Sequence, residues 1–184
     1  RQPGNLDGPR DCGRFLLDVV GRFTADRVHV SVCNQPRPTN QAVENLVETT
    51  WLRERKRAQA EGVKLYDGSM CRLVEYDASA DRFDLRLADV GYREFVGTNL
   101  TNGYLRYVHG PEVMADALGV SAILPTSDGF LLLGRRSQKV FYHKGMIHPI
   151  GGMVEPPDAS TAPDLFGTIR REIEEETTVG PDAR

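Results

Sequence analysis

Apolar and polar residues alternate from Arg27 to Cys33, with Val28, Val30 and Val32 on one face, which predicts a strand that Pro36 to Asn40 then ends. From Asn40 to Ala60 the spacing changes: Val43, Leu46, Val47 and Trp51 recur at threes and fours, the period of a helix. Pro38 and Thr39 stand at its start and Gly62 closes it, while the run from Arg53 to Arg57 reads as a solvated face. Two strands are expected next, from Lys64 to Glu75 and from Arg82 to Leu87, joined by a polar turn at Asp77 to Asp81. Gly91 to Leu100 reads as a loop and leads to a polar stretch ending near Gly110. The apolar runs from Val120 to Leu124 and from Phe130 to Leu133 flank a short loop containing Asp128-Gly129, the signature of a β-hairpin. A short strand over Met146 to Ile150 is expected to run into the Gly151-Gly152 loop. The last helix spans Leu165 to Thr177, with Phe166, Ile169 and Ile173 three or four residues apart. Thr161 with Asp164 three residues on suggests its N-terminal cap, with Pro163 in the first turn.

That last helix carries the chemistry. Glu172, Glu175 and Glu176 stand at i, i+3 and i+4 and so share one face, whereas Glu174 points elsewhere. Like charges at these spacings cost roughly 0.2–0.5 kcal/mol per pair, and the helix C-terminus adds to the penalty. A hard cation reverses the sign, because Mg²⁺ and Mn²⁺ take carboxylate oxygens and leave positions for phosphate. A solvated acidic face is the plain alternative for the triplet taken alone.

Composition narrows the setting. The 184 residues are 40% hydrophobic and 27% charged, ordinary for a globular chain of one domain, or of one domain with an N-terminal extension. A formal charge of -3 gives no electrostatic case for a nucleic-acid polymer, and no apolar run reaches the length of a membrane span. Cys12, Cys33 and Cys71 are unpaired in spacing, which favours reduced thiols and a cytoplasmic setting over a disulfide framework or a zinc site.

The segment Gly152-Met-Val-Glu-Pro-Pro-Asp158, followed by Arg171-Glu172-Ile173-Glu174-Glu175-Glu176-Thr177-Thr178-Val179, resembles the Nudix box. That box reads Gly, five residues, Glu, seven residues, then Arg-Glu-aliphatic-any-Glu-Glu-any-Gly-aliphatic. The resemblance implies an α/β fold of α+β type, an αβα sandwich with a mixed sheet, that hydrolyses a nucleoside diphosphate linked to another group. It implies metal binding by Glu172, Glu175, Glu176 and the carbonyl of Gly152, with Arg171 holding a carboxylate in place. Asp158 departs by standing where the box has its first Glu. Twelve residues, 159–170, fill the interval of seven, Thr178 replaces the last Gly, and Pro149-Ile150-Gly151-Gly152 replaces Pro-Gly-Gly.

Stretches outside the box sharpen the resemblance. Trp51 to Leu73, Tyr92 to Leu100, Ala117 to Leu124, Leu131 to Val140 and Ile150 to Pro156 are similar to the vertebrate Nudix enzymes that cleave UDP-glucose and UDP-galactose. This implies a nucleotide-sugar substrate, UMP and a hexose 1-phosphate as products, and an N-terminal α/β region, 1–110, that helps form the substrate site. Residues 111–184 would then be the first part of the Nudix domain, with the box at 152–179 and the C-terminal part of the fold absent. In such a site the cation would neutralise phosphate charge and acidify water, and Glu175 would be the carboxylate taking its proton. Arg135 or Arg136 could clamp a phosphate, and Tyr92, Thr98 and Asn99 could contact nucleoside or sugar. Strand-end charges and a capped turn are the plain alternatives for these two groups, and a structural role is for His143, His148 and His29. ADP-ribose or a dinucleotide as substrate, and a catalytically silent binding protein, are the competing functions.

Overall fold

The computed structural model describes residues 10–11, 16–157 and 161–177, so Asp158, Thr178, Cys12 and most of the expected N-terminal loop fall outside it. The chain begins with a small ribbon, β1 (Arg10–Asp11) against β2 (Leu16–Leu17), then enters β3 (Val28–Val32) and α1 (Gln41–Ala60). Asn40 caps α1: its side-chain oxygen accepts the backbone N–H groups of Ala42 and Val43 at 3.0 and 3.1 Å. The solvated face expected at Arg53 to Arg57 holds except at Glu54, which is buried and ion-paired with Arg53 and Arg57 at 2.8 and 3.2 Å.

β4 (Ser69–Ala78) and β5 (Phe83–Gly91) form the antiparallel pair the alternation predicts, although β4 starts later and runs further than expected. β3 adds to β5 in parallel, Val28 opposite Phe83 and Val32 opposite Leu87, giving a mixed sheet in the order β3-β5-β4. Leu85, Leu87 and Cys71 face one side, where Val154, Leu118, Val120 and Leu165 from later in the chain pack onto them. Met70 and Val90 face the other side, with Ala115, Tyr92, Phe95 and Met153.

The segment expected to be a loop at Gly91 to Leu100 is helical instead: α2 (Tyr92–Phe95) runs into a π-helical turn, Val96–Leu100. Tertiary contact overrides local propensity here. A Cβ on Gly97 would lie 2.9 Å from the Cα of Val47, so only glycine lets this turn press against α1. The polar stretch that follows holds α3 (Leu105–Val108). Leu105, Val113 and Met114 close over Val43 and Val47 of α1. Arg37, held between two prolines, is buried within this region. Its Nε donates to Glu94 at 3.0 Å, its Nη1 to the Val113 carbonyl at 2.7 Å, and its Nη2 to Glu44.

The remaining strands are short and exchange partners. β6 (Gly119–Ala122) leads to β7 (Leu124–Pro125), β8 (Leu131–Leu132) to β9 (Gly134–Arg135), and β10 (Ile147–His148) to β11 (Ile150–Met153). β7 pairs with β8 across the predicted hairpin, β9 with β10, and β11 with β6, all antiparallel. The three stretches thus close on one another, and α4 (Leu165–Thr177) lies against β11 and β6. The helix spans the residues its periodicity predicts, but its cap is Asp164 and not Thr161. The Asp164 carboxylate accepts the Gly167 N–H at 2.8 Å, which puts Pro163 ahead of the cap.

Among the described residues no helix is long and apolar enough to cross a membrane. Cys33 and Cys71 are free thiols.

Candidate functional site

β11 and α4 meet where two glycines leave room. A side chain on Gly151 would strike the backbone of Val120 and Ser121, the latter at 2.8 Å from its Cα, so this glycine permits the β6–β11 pairing. Gly152 serves a different contact: the space a Cβ would fill is taken by the carboxyl group of Glu172. The Gly-Gly loop and the glutamate helix read separately in the sequence are therefore one packed unit.

Glu172 is half-buried in that position, and its carboxyl is pushed above the usual range, first by burial and then by the like charges of Glu175, Glu176 and Glu155, against the pull of Arg171. Arg171 reaches Glu175 instead, with Nε 3.9 Å from Oε1 in an exposed i,i+4 pair. Glu175 is 64% exposed. Neither Glu172 nor Glu176 has an ion-pair partner among the described residues.

The three glutamates share a face as expected, yet their tips do not converge. Among the described residues no group of three or more His, Cys, Asp or Glu side chains could hold a metal ion. In donor type and charge the face fits a hard divalent cation: the ligands are carboxylate oxygens, and Gly152 admits Glu172 where any other residue would exclude it. Beside it, Arg171 lines a cleft of about 450 Å³ with Glu155, Pro156, Pro157 and Thr168.

Other residues singled out in the sequence divide. Arg135 is exposed, with Nη1 donating to the Gly145 carbonyl at 3.2 Å. Arg136 is half-buried and donates from Nε to the Tyr142 carbonyl at 3.1 Å. Tyr92 sits at the start of α2, in the cluster that contains Met153, one residue beyond Gly152. Thr98 is a correction: it is fully buried, its hydroxyl donating to the Glu94 carbonyl at 2.7 Å and accepting the Ala115 N–H at 3.1 Å. Asn99 is likewise committed, donating to the Asp116 carboxylate at 2.9 Å and accepting its N–H at 3.1 Å. Both belong to the turn that ties the helical segment to 115–116, the plain alternative the sequence left open. His148 turns its Nδ1 to the Pro149 carbonyl at 2.6 Å, a local contact.

Sequence reasoning missed that the polar loop 136–145 docks on α1, because nothing in its pattern points to that helix. Lys144 binds Glu61 at the end of α1, and Arg57 lies 5.4 Å over the Phe141 ring.

No protein-family model matches the chain. It is 32% identical over 119 residues to uridine diphosphate glucose pyrophosphatase NUDT22 of Bos taurus, a match covering 53% of this chain and 41% of that protein. The Mus musculus protein of the same name is 32% identical over 117 residues, 52% of this chain and 38% of its own. The Homo sapiens protein of that name is 39% identical over 80 residues, 39% and 26% respectively. The matched stretch spans less than half the length of each curated relative. Residue pattern and likeness agree: this chain is similar to the mammalian uridine diphosphate glucose pyrophosphatases named NUDT22, over about half of its own length in the two longer matches.

Proposed function

We propose that this chain carries the acidic half of a diphosphatase site that cleaves the phosphoanhydride of a UDP-sugar, UDP-glucose or UDP-galactose, to UMP and a sugar 1-phosphate. The observation that carries the reading is the seating of the Glu172 carboxyl on Gly152, which joins the glycine loop to the glutamate face. The likeness to proteins named for UDP-glucose supports the substrate.

Glu172, Glu175 and Glu176, with the Gly152 carbonyl, are the residues that would hold Mg²⁺ or Mn²⁺. When bound, such an ion supplies neutralisation of phosphate charge and a more acidic water. The chain itself does three things. Glu172 rests its carboxyl against β11 at Gly152. Arg171 steers Glu175 along the helix surface. Glu175, the one glutamate of the three with an ion-pair partner among the described residues, would accept a proton from water attacking phosphorus, while the departing phosphate leaves with the electron pair of the broken P–O bond.

A second reading, a binding protein without turnover, draws on one observation, the failure of the acidic tips to converge among the described residues. Product analysis separates the two. With UDP-glucose and Mg²⁺ the first reading expects UMP and glucose 1-phosphate, and Glu175→Gln lowers turnover by about 100-fold or more. Binding of UDP-glucose without products, unchanged by Glu175→Gln, establishes the second. ADP-ribose and a dinucleotide, offered in the same assay, test the substrate.

A further inference from the structure

One buried charge in the mixed sheet has no partner among the described residues. Arg72 lies on β4 between Cys71 and Leu73, whose side chains join the cluster that holds Val154 and Leu165. Alternation along the strand therefore sends its guanidinium out of the opposite face, away from α4 and the glutamates. There Arg72 stands opposite Ala88 of β5. Beyond Ala88 comes Cys33, whose N–H donates to the Leu87 carbonyl at 2.8 Å and so carries the β3 pairing one residue past Val32. Only the small side chain of Ala88 stands between Arg72 and Cys33 in this row. On its other flank β4 meets 116–118: the Leu73 N–H donates to the Asp116 carbonyl at 3.1 Å, and the Leu118 N–H to the Cys71 carbonyl at 2.7 Å.

Arg72 is 5% exposed, and none of its nitrogens hydrogen-bonds or ion-pairs with a described residue. Of the three, Nε alone is sealed from water, so the two Nη atoms face the narrow opening that remains. The acids around it are committed elsewhere. Asp116 accepts from Asn99 at 2.9 Å and lies 3.6 Å from Arg106. Glu94 accepts from Arg37 at 3.0 Å and from the Gly91 N–H at 2.7 Å, and Glu75 lies 2.6 Å from Arg86 on the same face of the sheet. Those arginines are matched, and Arg72 is left over. Burial, then the like charge of Arg37, holds its pKa below the usual arginine value, against the pull of Asp116, Cys33 and Glu94. A desolvated ion without a partner is costly, which is why buried charges are paired. A recessed guanidinium fork is satisfied by two oxygens of one oxyanion.

We propose that Arg72 is the floor of an anion site on the face of the sheet opposite the acidic helix, where its fork takes two oxygens of a phosphate group. The ligand is a tetrahedral oxyanion, supplied free as inorganic phosphate or as the end of a phosphate monoester. It completes the pairing of Arg72 and covers the row that ends at Cys33. Because the folded chain alone assembles this row, binding stabilises the fold. The site draws nothing from the UDP-sugar reading and stands or falls without it.

Thermal unfolding in EDTA at constant ionic strength, with inorganic phosphate replacing chloride, tests the site. The midpoint of the parent chain is expected to rise with phosphate concentration, and that of Arg72→Met, which keeps bulk and removes the charge, to stay where it is without phosphate. Arg72→Lys is expected to weaken phosphate about tenfold, since it keeps the charge and loses the fork. A second reading needs no variant: in the parent, phosphate is expected to remove most of the rate at which iodoacetamide alkylates Cys33, followed by peptide mass spectrometry. Glycerol 3-phosphate in the same melts separates the sources. A rise that Arg72→Met abolishes assigns a monoester, and a rise with inorganic phosphate alone assigns the free anion. An equal rise in parent and Arg72→Met overturns the site, as does a parent that phosphate does not stabilise or a Cys33 that phosphate does not shield.

Discussion

The two halves of the molecule satisfy their apolar residues in different ways. From α1 to Ala115 the buried positions Val43, Val47, Leu87, Val90 and Met114 find partners within the chain. Several polar groups buried there are bonded too, Asn102 donating to Thr50 and to the Gly97 carbonyl at 3.1 and 2.7 Å and Arg37 spanning three acceptors, although the Arg72 Nε has no hydrogen-bond partner among the described residues. From Gly119 to Met153, by contrast, Ile123, Phe130, Leu131, Leu133, Met146 and Ile147 are exposed, Phe130 by 69% and Ile147 by 59%. These strands stay in place by pairing in a closed cycle and by leaning on the first half through Val154, Met153 and Leu165. The acidic face belongs to the weaker half and borrows its rigidity from the stronger one.

The largest expected effect breaks that support. Leu87→Ala, at a fully buried position of the shared cluster, is expected to cost about 2–5 kcal/mol in chemical denaturation, whereas Leu131→Ala, 58% exposed, stays within about 0.5 kcal/mol. Equal costs would contradict the contrast between the halves. Next come the two glycines of β11. Gly151→Ala meets backbone and is expected to cost about 1–3 kcal/mol; Gly152→Ala meets only the end of the Glu172 side chain, so it costs less stability while lowering turnover at least about tenfold. Parallel melts and rate assays check the pair, and a stable, fully active Gly152→Ala would detach the loop from the chemistry.

Removing the cap of α4 by Asp164→Ala is expected to cost about 0.5–2 kcal/mol, seen as a lowered denaturation midpoint, and Thr161→Ala nothing measurable. The smallest effect concerns acid. At Glu44 burial works to raise the carboxyl pKa, but the Thr39 hydroxyl and Arg37 outweigh it and hold the group below its usual range. A depressed folded pKa gives stability that is full above the unfolded value, about 4.3, and is lost as pH falls through the folded one. Melting temperature followed downward from pH 5 is therefore expected to fall more steeply in the parent chain than in Glu44→Gln.

Elements whose apolar residues repeat with a period were legible in the sequence. β3, α1, the hairpin around Gly129 and the bounds of α4 follow from residues such as Val43, Val47, Ile169 and Ile173. What escaped depended on distant partners. Gly97 and Thr98 look like loop residues until α1 and Ala115 are placed beside them, and Arg37 looks solvated until Glu94 and Val113 close over it. At the site, the glutamate spacing put Glu172, Glu175 and Glu176 on one face, but only packing shows Glu172 seated on Gly152 and Glu175 drawn to Arg171. The docking of loop 136–145 on α1 through Lys144 and Phe141 could not be read, because those contacts exist only once the end of α1 is placed beside the loop.

Titration of Mn²⁺ followed by its electron paramagnetic resonance signal, on the parent chain and on Glu172→Gln, goes most directly to the central claim. A single tight site in the parent, weakened about tenfold or more in the variant, is the expected result, since a metal-bound carboxylate that loses its charge loses affinity. Equal affinity in both, or free Mn²⁺ throughout, would contradict an acidic face built to hold a cation.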